Sequence, residues 1–401
     1  MSRLERSREL HKRAVRCIPW GTQTNAKKWR KVFPDVSPAF IERGRGCHIW
    51  DVDGNEYLDF KCALGPIVLG HADPDVNNAV KRQIDDGTLY NMAHPLEIEL
   101  AEQIAEIVPC AKRVRFLKTG SDANCAAVRV ARVVTGRDKI ISLGYHGWND
   151  VTNANREKIG GIPQASRELV LTGPINDSEA LKKLFIAHDG QIALLIADLA
   201  CHRSIPRKYV QDLKNLAHEN GALLCFDEII TGFRYALGGA QEYFGVMPDL
   251  ACFGKAIANG YSLSALCGRG DIMDEAFEKT IITGTYYGST ADLAAAKASI
   301  GKLLRHNVPA LLWQRGQALQ DAINRSAERH GLTIRAEGPS CISNLVAEDT
   351  EELAAFLMRL FVNGLYPGSS YWFVNYAHTD EELSAAFDII DRTFSDVKHG
   401  K

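Results

Sequence analysis

An α/β fold with a mostly parallel, doubly wound sheet is predicted by three observations on this 401-residue chain. From about residue 70 to 270, short apolar runs alternate with helical periodicity, the pattern of a sheet covered on both faces. One run, Ala222-Leu223-Leu224-Cys225-Phe226, ends in an acid, Asp227, as a central parallel strand does where its carboxyl end opens on a ligand crevice. Gly254-Lys255 follows, the lysine 28 residues after that acid.

Taken in order, residues 1–60 read as an N-terminal segment. It opens with a charged amphipathic helix beginning near Ser2, then an irregular stretch from Pro19 to Lys28. A hairpin follows: His48 to Val52, a turn at Asp53-Gly54, then Glu56 to Phe60. Asp51, Asp53 and Asn55 resemble a calcium loop only superficially. The glycine stands at the fourth position, where an EF-hand has it at the sixth, so a turn is expected. Residues 61–275 read as the large domain, with strands at Lys139–Leu143, Leu169–Leu171, Ile192–Ile196 and Ala222–Phe226. The helical pattern from Tyr209 to Asn220 is closed by Gly221. Residues 276–401 read as a small α+β domain with helices over Asp292–Arg305 and Pro309–His330.

Apolar content of 46% and charged content of 24% are ordinary for a soluble globular chain of this length, which can bury a substantial core. A net charge of −2 gives no electrostatic case for nucleic acid or a membrane surface. The ten cysteines are scattered, without CxxC or zinc spacing, and read as buried free thiols; no metal site is expected. There is no signal-like apolar stretch, and no run approaches the roughly 18 apolar residues that span a bilayer. A cytoplasmic location is expected.

Several segments carry residues suited to chemistry. Thr119-Gly120-Ser121-Asp122-Ala123 leads into a helix over Asn124–Thr135. Such a turn exposes backbone N–H groups at the positive helix end and can bind an anion, or it can be a plain N-cap. Tyr145, in Gly144-Tyr145-His146-Gly147-Trp148, can stack on a flat cofactor or simply pack. The strand ending at Asp227-Glu228 also matches the magnesium-binding strand of a P-loop ATPase, which requires a GxxxxGK[ST] loop. Neither Gly254-Lys255-Ala256 nor Gly301-Lys302-Leu303 supplies it. A buried acid able to hold a proton on a ring nitrogen, with a buried lysine able to form a Schiff base, points instead to pyridoxal 5'-phosphate.

One ordered set runs along the chain: Leu64–His71, the Thr119 turn, Tyr145-His146-Gly147, Asp227–Arg234, Gly254-Lys255, Gly284–Gly288 and Ala377-His378-Thr379-Asp380. This set resembles the class III, fold-type I pyridoxal-phosphate-dependent aminotransferases, and within them glutamate-1-semialdehyde 2,1-aminomutase and its relatives. The resemblance implies a large domain with a mostly parallel sheet, plus a smaller α+β domain built from the N- and C-terminal segments. It also implies a homodimer with the active site at the subunit interface. Lys255 is implied to bind the cofactor as a Schiff base and to shuttle a proton, and Asp227 to pair with the ring nitrogen. Ile229 and Tyr145 are implied to cover the two ring faces, and Gly120 and Ser121 to hold the phosphate. Thr285 is implied to reach the neighbouring subunit's phosphate. His146 is expected to orient its neighbours, and Glu228 to make a structural hydrogen bond or salt bridge.

The departures from this family lie in substrate-facing segments. A Ser-Pro-Val-Arg segment is replaced by Thr24-Asn25-Ala26-Lys27, so the planar arginine fork is missing; Lys27 is a substrate contact or a solvated loop lysine. An acidic residue is replaced by Ser370, and a Glu-Pro-Val loop becomes Ala197–Arg203, where His202 or Arg203 is a candidate replacement contact. The resulting expectation is a ping-pong aminotransferase that passes an amino group from a donor to an aldehyde or ketone. A polar, aromatic lining of Lys27, Trp29, Tyr371 and Trp372 points to an oxidised sugar or aminocyclitol acceptor in a biosynthetic pathway. The alternatives are a 2,1-aminomutase and, from another class, a non-catalytic protein of the same fold.

Overall fold

The computed structural model describes residues 3–29, 33, 35–154, 160–200 and 205–400. They form two compact units, Pro74–Pro309 and a second made of Met1–Asp73 with Ala310–Lys401.

The central unit, Pro74–Pro309, contains seven strands: β4 (Arg113–Leu117), β5 (Lys139–Leu143), β6 (Val170–Thr172), β7 (Ile192–Asp198), β8 (Leu223–Glu228), β9 (Leu250–Phe253) and β10 (Ser264–Gly268). Their order is β4-β10-β9-β8-β7-β5-β6. The sheet is mostly parallel, as expected, and β10 alone among these strands runs against its neighbours β4 and β9. β7 and β8 are apolar and buried almost throughout, because helices cover both faces of a parallel sheet. The helix Gly120–Thr135 presents a face of small residues, Ala123, Ala126, Ala127 and Ala131, which lets it lie close on the sheet within the main core cluster.

The flanking unit holds β1 (Ile41–Arg45), β2 (His48–Asp51) and β3 (Glu56–Asp59), with Leu365–Tyr366 added parallel to β3. The β2–β3 hairpin turns at Asp53-Gly54. Asp51 Oδ1 accepts the N–H groups of Asp53 and Asn55, at 3.0 and 2.8 Å. Asp53 accepts those of Arg6 and Ser7, at 2.7 and 2.9 Å, so these acids tie backbone together. A three-stranded antiparallel sheet, Arg335–Glu337, Ile342–Val346 and Tyr371–Phe373, completes the unit with the helices Thr350–Val362 and Asp380–Lys398.

Two stretches group differently from the 1–60, 61–275 and 276–401 division. Residues 61–73 join the flanking unit, where Gly46 and His71 exchange backbone hydrogen bonds. Residues 276–309 join the central unit, because the helix Thr290–Arg305 packs along the helix Pro74–Asp86 and Thr290 bonds back to Gly87 and Thr88. None of the nine described cysteines is in a disulfide, and seven are buried. Among the described residues, no helix is long and apolar enough to cross a membrane.

Candidate active site

Alternation along β8 sends its last two side chains to opposite faces. Asp227, 4% exposed, opens on a cavity of about 300 Å³ at the carboxyl edge of the sheet. Glu228 is fully buried away from solvent. It accepts the N–H groups of Ala240 (2.7 Å) and Gln241 (3.0 Å) and the hydroxyl of Thr231. Burial pushes its carboxyl up to about 6 against these bonds.

The Asp227 carboxylate is held by three donors. Oδ2 accepts from Asn124 Nδ2 (2.8 Å) and His146 Nδ1 (2.7 Å), and Oδ1 accepts the N–H of Ile229 (3.1 Å). A carboxylate only accepts, so His146 donates from Nδ1 and Asn124 from its NH2. His146 Nε2 and Asn124 Oδ1 are buried and have no hydrogen-bond partner among the described residues.

Lys255 lines the same cavity from the turn after β9. Its φ of 45° is left-handed, a strained setting for a residue with a side chain, and one that recurs at functional sites. Burial holds its amine below the ordinary lysine value, while Asp198 and Asp227 push it back up.

Beyond β4, Thr119 caps the helix Gly120–Thr135 in a reciprocal box. Its hydroxyl accepts the Asp122 N–H at 3.2 Å, and the Asp122 carboxylate accepts the Thr119 N–H at 2.9 Å. Ser264 Oγ fixes the turn by donating to the Thr119 carbonyl at 2.7 Å. The box uses the N–H of Asp122, so those of Gly120 and Ser121, the first two of the helix and both on residues lining the cavity, are left outside it. Gly147, with φ of +103°, allows the approach: a Cβ there would lie 2.1 Å from Ser121 Oγ. Ile229 is wedged between Gly120 and Gly254, either of which would carry a Cβ 2.9 Å from its Cδ1.

This donor set fits pyridoxal phosphate. It offers a fixed carboxylate for the ring nitrogen, an amine for the aldehyde, open N–H groups for the phosphate, an apolar wall, and two buried polar atoms on residues lining the cavity.

Lys255, Asp227, Ile229, Gly120, Ser121 and Tyr145 therefore line one cavity. Thr285 does not; it is exposed in a turn of the same unit. Lys27 and Ser370 belong to the flanking unit. Lys27 is exposed at the end of a short turn and lines a separate cavity of about 380 Å³ with Trp29 and Lys61. Ser370 is outside that lining, its carbonyl accepting the Leu345 N–H at 2.8 Å. Trp372 corrects the expectation that it lines a site. It is 1% exposed, stacks on Phe60 and donates to the Ser369 carbonyl, because it belongs to the flanking unit's core. His202 and Arg203 lie outside the described residues. Sequence reasoning missed Asn124 and Asp198. A lone amide on an alanine-rich helix face was a signal for Asn124, and an acid ending an apolar strand was one for Asp198.

The sequence model of the family described as Aminotransferase class-III matches residues 32–394. The chain is 32% identical to a 3-aminobutyryl-CoA aminotransferase of Cloacimonas acidaminovorans, over 99% of this chain and 98% of the relative. It is 33% identical to a glutamate-1-semialdehyde 2,1-aminomutase of Symbiobacterium thermophilum, over 99% of each. Among solved structures it matches the Sphingopyxis sp. MTA144 FumI protein in its PLP internal aldimine form, with a TM-score of 0.92 and 30% identity, over 98% of this chain and 97% of that one. A match of this length, joined to a cavity whose donors fit the cofactor, means that the chain belongs to the class-III aminotransferases and is a pyridoxal-phosphate-dependent enzyme.

Proposed function

We propose that the enzyme moves an amino group between two different molecules, a donor that leaves it on the cofactor and an aldehyde or ketone that takes it away. The cavity that joins Lys255, Asp227, Gly120 and Ser121 carries the amino-transfer chemistry, and the departures at Lys27 and Ser370 beside intact cofactor segments carry its placement between two molecules. When bound, pyridoxal phosphate supplies an electron sink that loosens a C–H bond beside the transferred nitrogen. Asp227 keeps the ring nitrogen protonated, and His146 and Asn124 hold the carboxylate in place for that task. Lys255 binds the cofactor and then moves the proton at its Nζ, a task for the neutral amine that burial favours. Gly120 and Ser121 hold the phosphate at the helix N-terminus. Ile229 and Tyr145 cover the ring faces.

The site is proposed to work in a homodimer, with Thr285 reaching the partner's phosphate. Met92, Trp148, Ile281 and Tyr286 of the central unit, 80%, 74%, 78% and 65% exposed, are large apolar groups of the kind a partner surface covers.

For the substrate, the loss of the arginine fork at Lys27 and of the acid at Ser370 argues against the aminomutases' own substrate. An oxidised sugar or aminocyclitol is one acceptor class to test. A 3-oxoacyl thioester is another, from the likeness to 3-aminobutyryl-CoA aminotransferase. The aminomutase reading is kept because several relatives at 31–33% identity carry that name. The test is to mix the pyridoxamine-phosphate form with each carbonyl compound and follow the cofactor's absorbance. Return of the aldehyde form with one acceptor, and a requirement for an external donor in turnover, support transfer between molecules. Turnover of glutamate-1-semialdehyde without a donor overturns it.

A further inference from the structure

We infer that Asp198 is a positioning residue for this chemistry: a second strand-end acid, one strand over from Asp227, that serves as the counter-charge of the Lys255 nitrogen. The inference rests on the reading of Lys255 as the cofactor-bearing lysine. Asp198 is the last residue of β7 and stands in register with Asp227 on β8, so both carboxyls leave the sheet at the same edge. Both line the cavity with Lys255.

The backbone holds Asp198 there. Its Oδ1 accepts the Ala200 N–H at 2.9 Å. Gly144, at φ of +101°, lies so close that a Cβ on it would be 2.6 Å from Asp198 Cβ.

The two acids differ in what already occupies them. Asp227 accepts from Asn124, His146 and Ile229. Among the described residues Asp198 accepts from Ala200 through Oδ1, which leaves its second oxygen for a charge in the cavity. Among the described residues, the charged and titratable groups facing Asp198 are Asp227 from β8, His146 from the turn after β5, and Lys255 from the turn after β9. Arg234, beyond β8, acts on Lys255 in the opposite sense. Burial, with Asp227 adding to it, raises the Asp198 carboxyl above the usual carboxylate range, while His146 and Lys255 favour its charged form. Asp198 and Asp227 both favour the charged form of Lys255. An anion beside this nitrogen favours its protonated form, so Asp198 sets the pH at which Lys255 gives up its proton.

The first experiment secures the underlying reading. Borohydride reduction of the wild-type holoenzyme, followed by peptide mapping, places the reduced adduct on Lys255; an adduct elsewhere overturns the reading of Lys255 itself. Asp198→Asn, Asp198→Ser and Asp198→Glu holoenzymes are then titrated, and the pH midpoint of the bound cofactor's absorbance change is read. Removing the charge in the first two moves the midpoint to lower pH by roughly one unit, a tenfold loss of proton affinity, and D198E restores it. An unchanged or raised midpoint overturns the proposal. If the neutral variants release the cofactor, labelling of Lys255 by an amine reagent near neutral pH is compared in the cofactor-free proteins. Labelling about tenfold faster than wild type supports the proposal, and an equal rate overturns it.

Discussion

Asp227→Asn keeps the shape of the side chain, removes its charge and turns one oxygen into an NH2. In the wild type, Oδ2 takes two donors and Oδ1 takes one. If the new NH2 replaces Oδ2, it confronts Asn124 and His146; if it replaces Oδ1, it confronts the Ile229 N–H. The second orientation is the cheaper, losing one hydrogen bond at a buried site, which costs about 1–3 kcal/mol. The two bonds kept at the other oxygen lose their ionic assistance, adding about 1 kcal/mol. The cofactor-free variant is therefore less stable by about 2–4 kcal/mol. A cationic ring N–H loses a charge-assisted bond of about 1.5–3 kcal/mol, so cofactor binding weakens by about 10- to 150-fold. Urea unfolding of the cofactor-free proteins and fluorescence titration with pyridoxal phosphate measure the two effects. The reasoning is refuted if unfolding stays within about 0.5 kcal/mol of wild type and affinity within about threefold.

Three further outcomes are expected. Gly147→Ala forces a Cβ to 2.1 Å from Ser121 Oγ at a left-handed φ, so the phosphate turn shifts and cofactor affinity falls by about tenfold or more; unchanged affinity refutes the packing argument. Glu228→Gln sets an NH2 against the N–H of Ala240 or Gln241, costing about 1–3 kcal/mol by denaturant unfolding. Glu228 also gives a pH signature. Because its folded value is raised from 4.5 to about 6, its proton stabilises the fold below the lower value, and that contribution is lost as pH rises through the upper one. The wild type thus loses about 2 kcal/mol relative to E228Q between about pH 4 and pH 7, and parallel stability curves refute this. Thr285→Ala leaves the cavity lining untouched, so weaker cofactor binding confined to the dimer in sedimentation and titration places it at the partner's site. Unchanged binding in the dimer removes Thr285 from that site.

Local pattern carried much of the central sheet. Continuous apolar runs at β5, β7 and β8 are buried on both faces, a property of the residues themselves, and the acid at the end of β8 follows from the same reading. The short strands β9 and β10 are apolar runs as well, but local pattern does not say which strands they pair with. β10 is placed by antiparallel pairing with β4, far away in the chain, and no local period encodes such a partner.

By itself, the sequence determined the α/β class, the Asp227 and Lys255 pair, the Thr119 turn and the cofactor that these residues fit. All are short segments whose chemistry is written in adjacent residues. Only the tertiary structure decided what surrounds them. Asn124 and His146 converge on one oxygen of Asp227 across separations of 103 and 81 residues. Asp198 comes level with Asp227 through strand register, and Trp372 turns inward to the flanking core. The physical reason is shared: hydrogen-bond direction and burial are properties of residues brought together from distant parts of the chain, so they exist only once the sheet has aligned its strand ends.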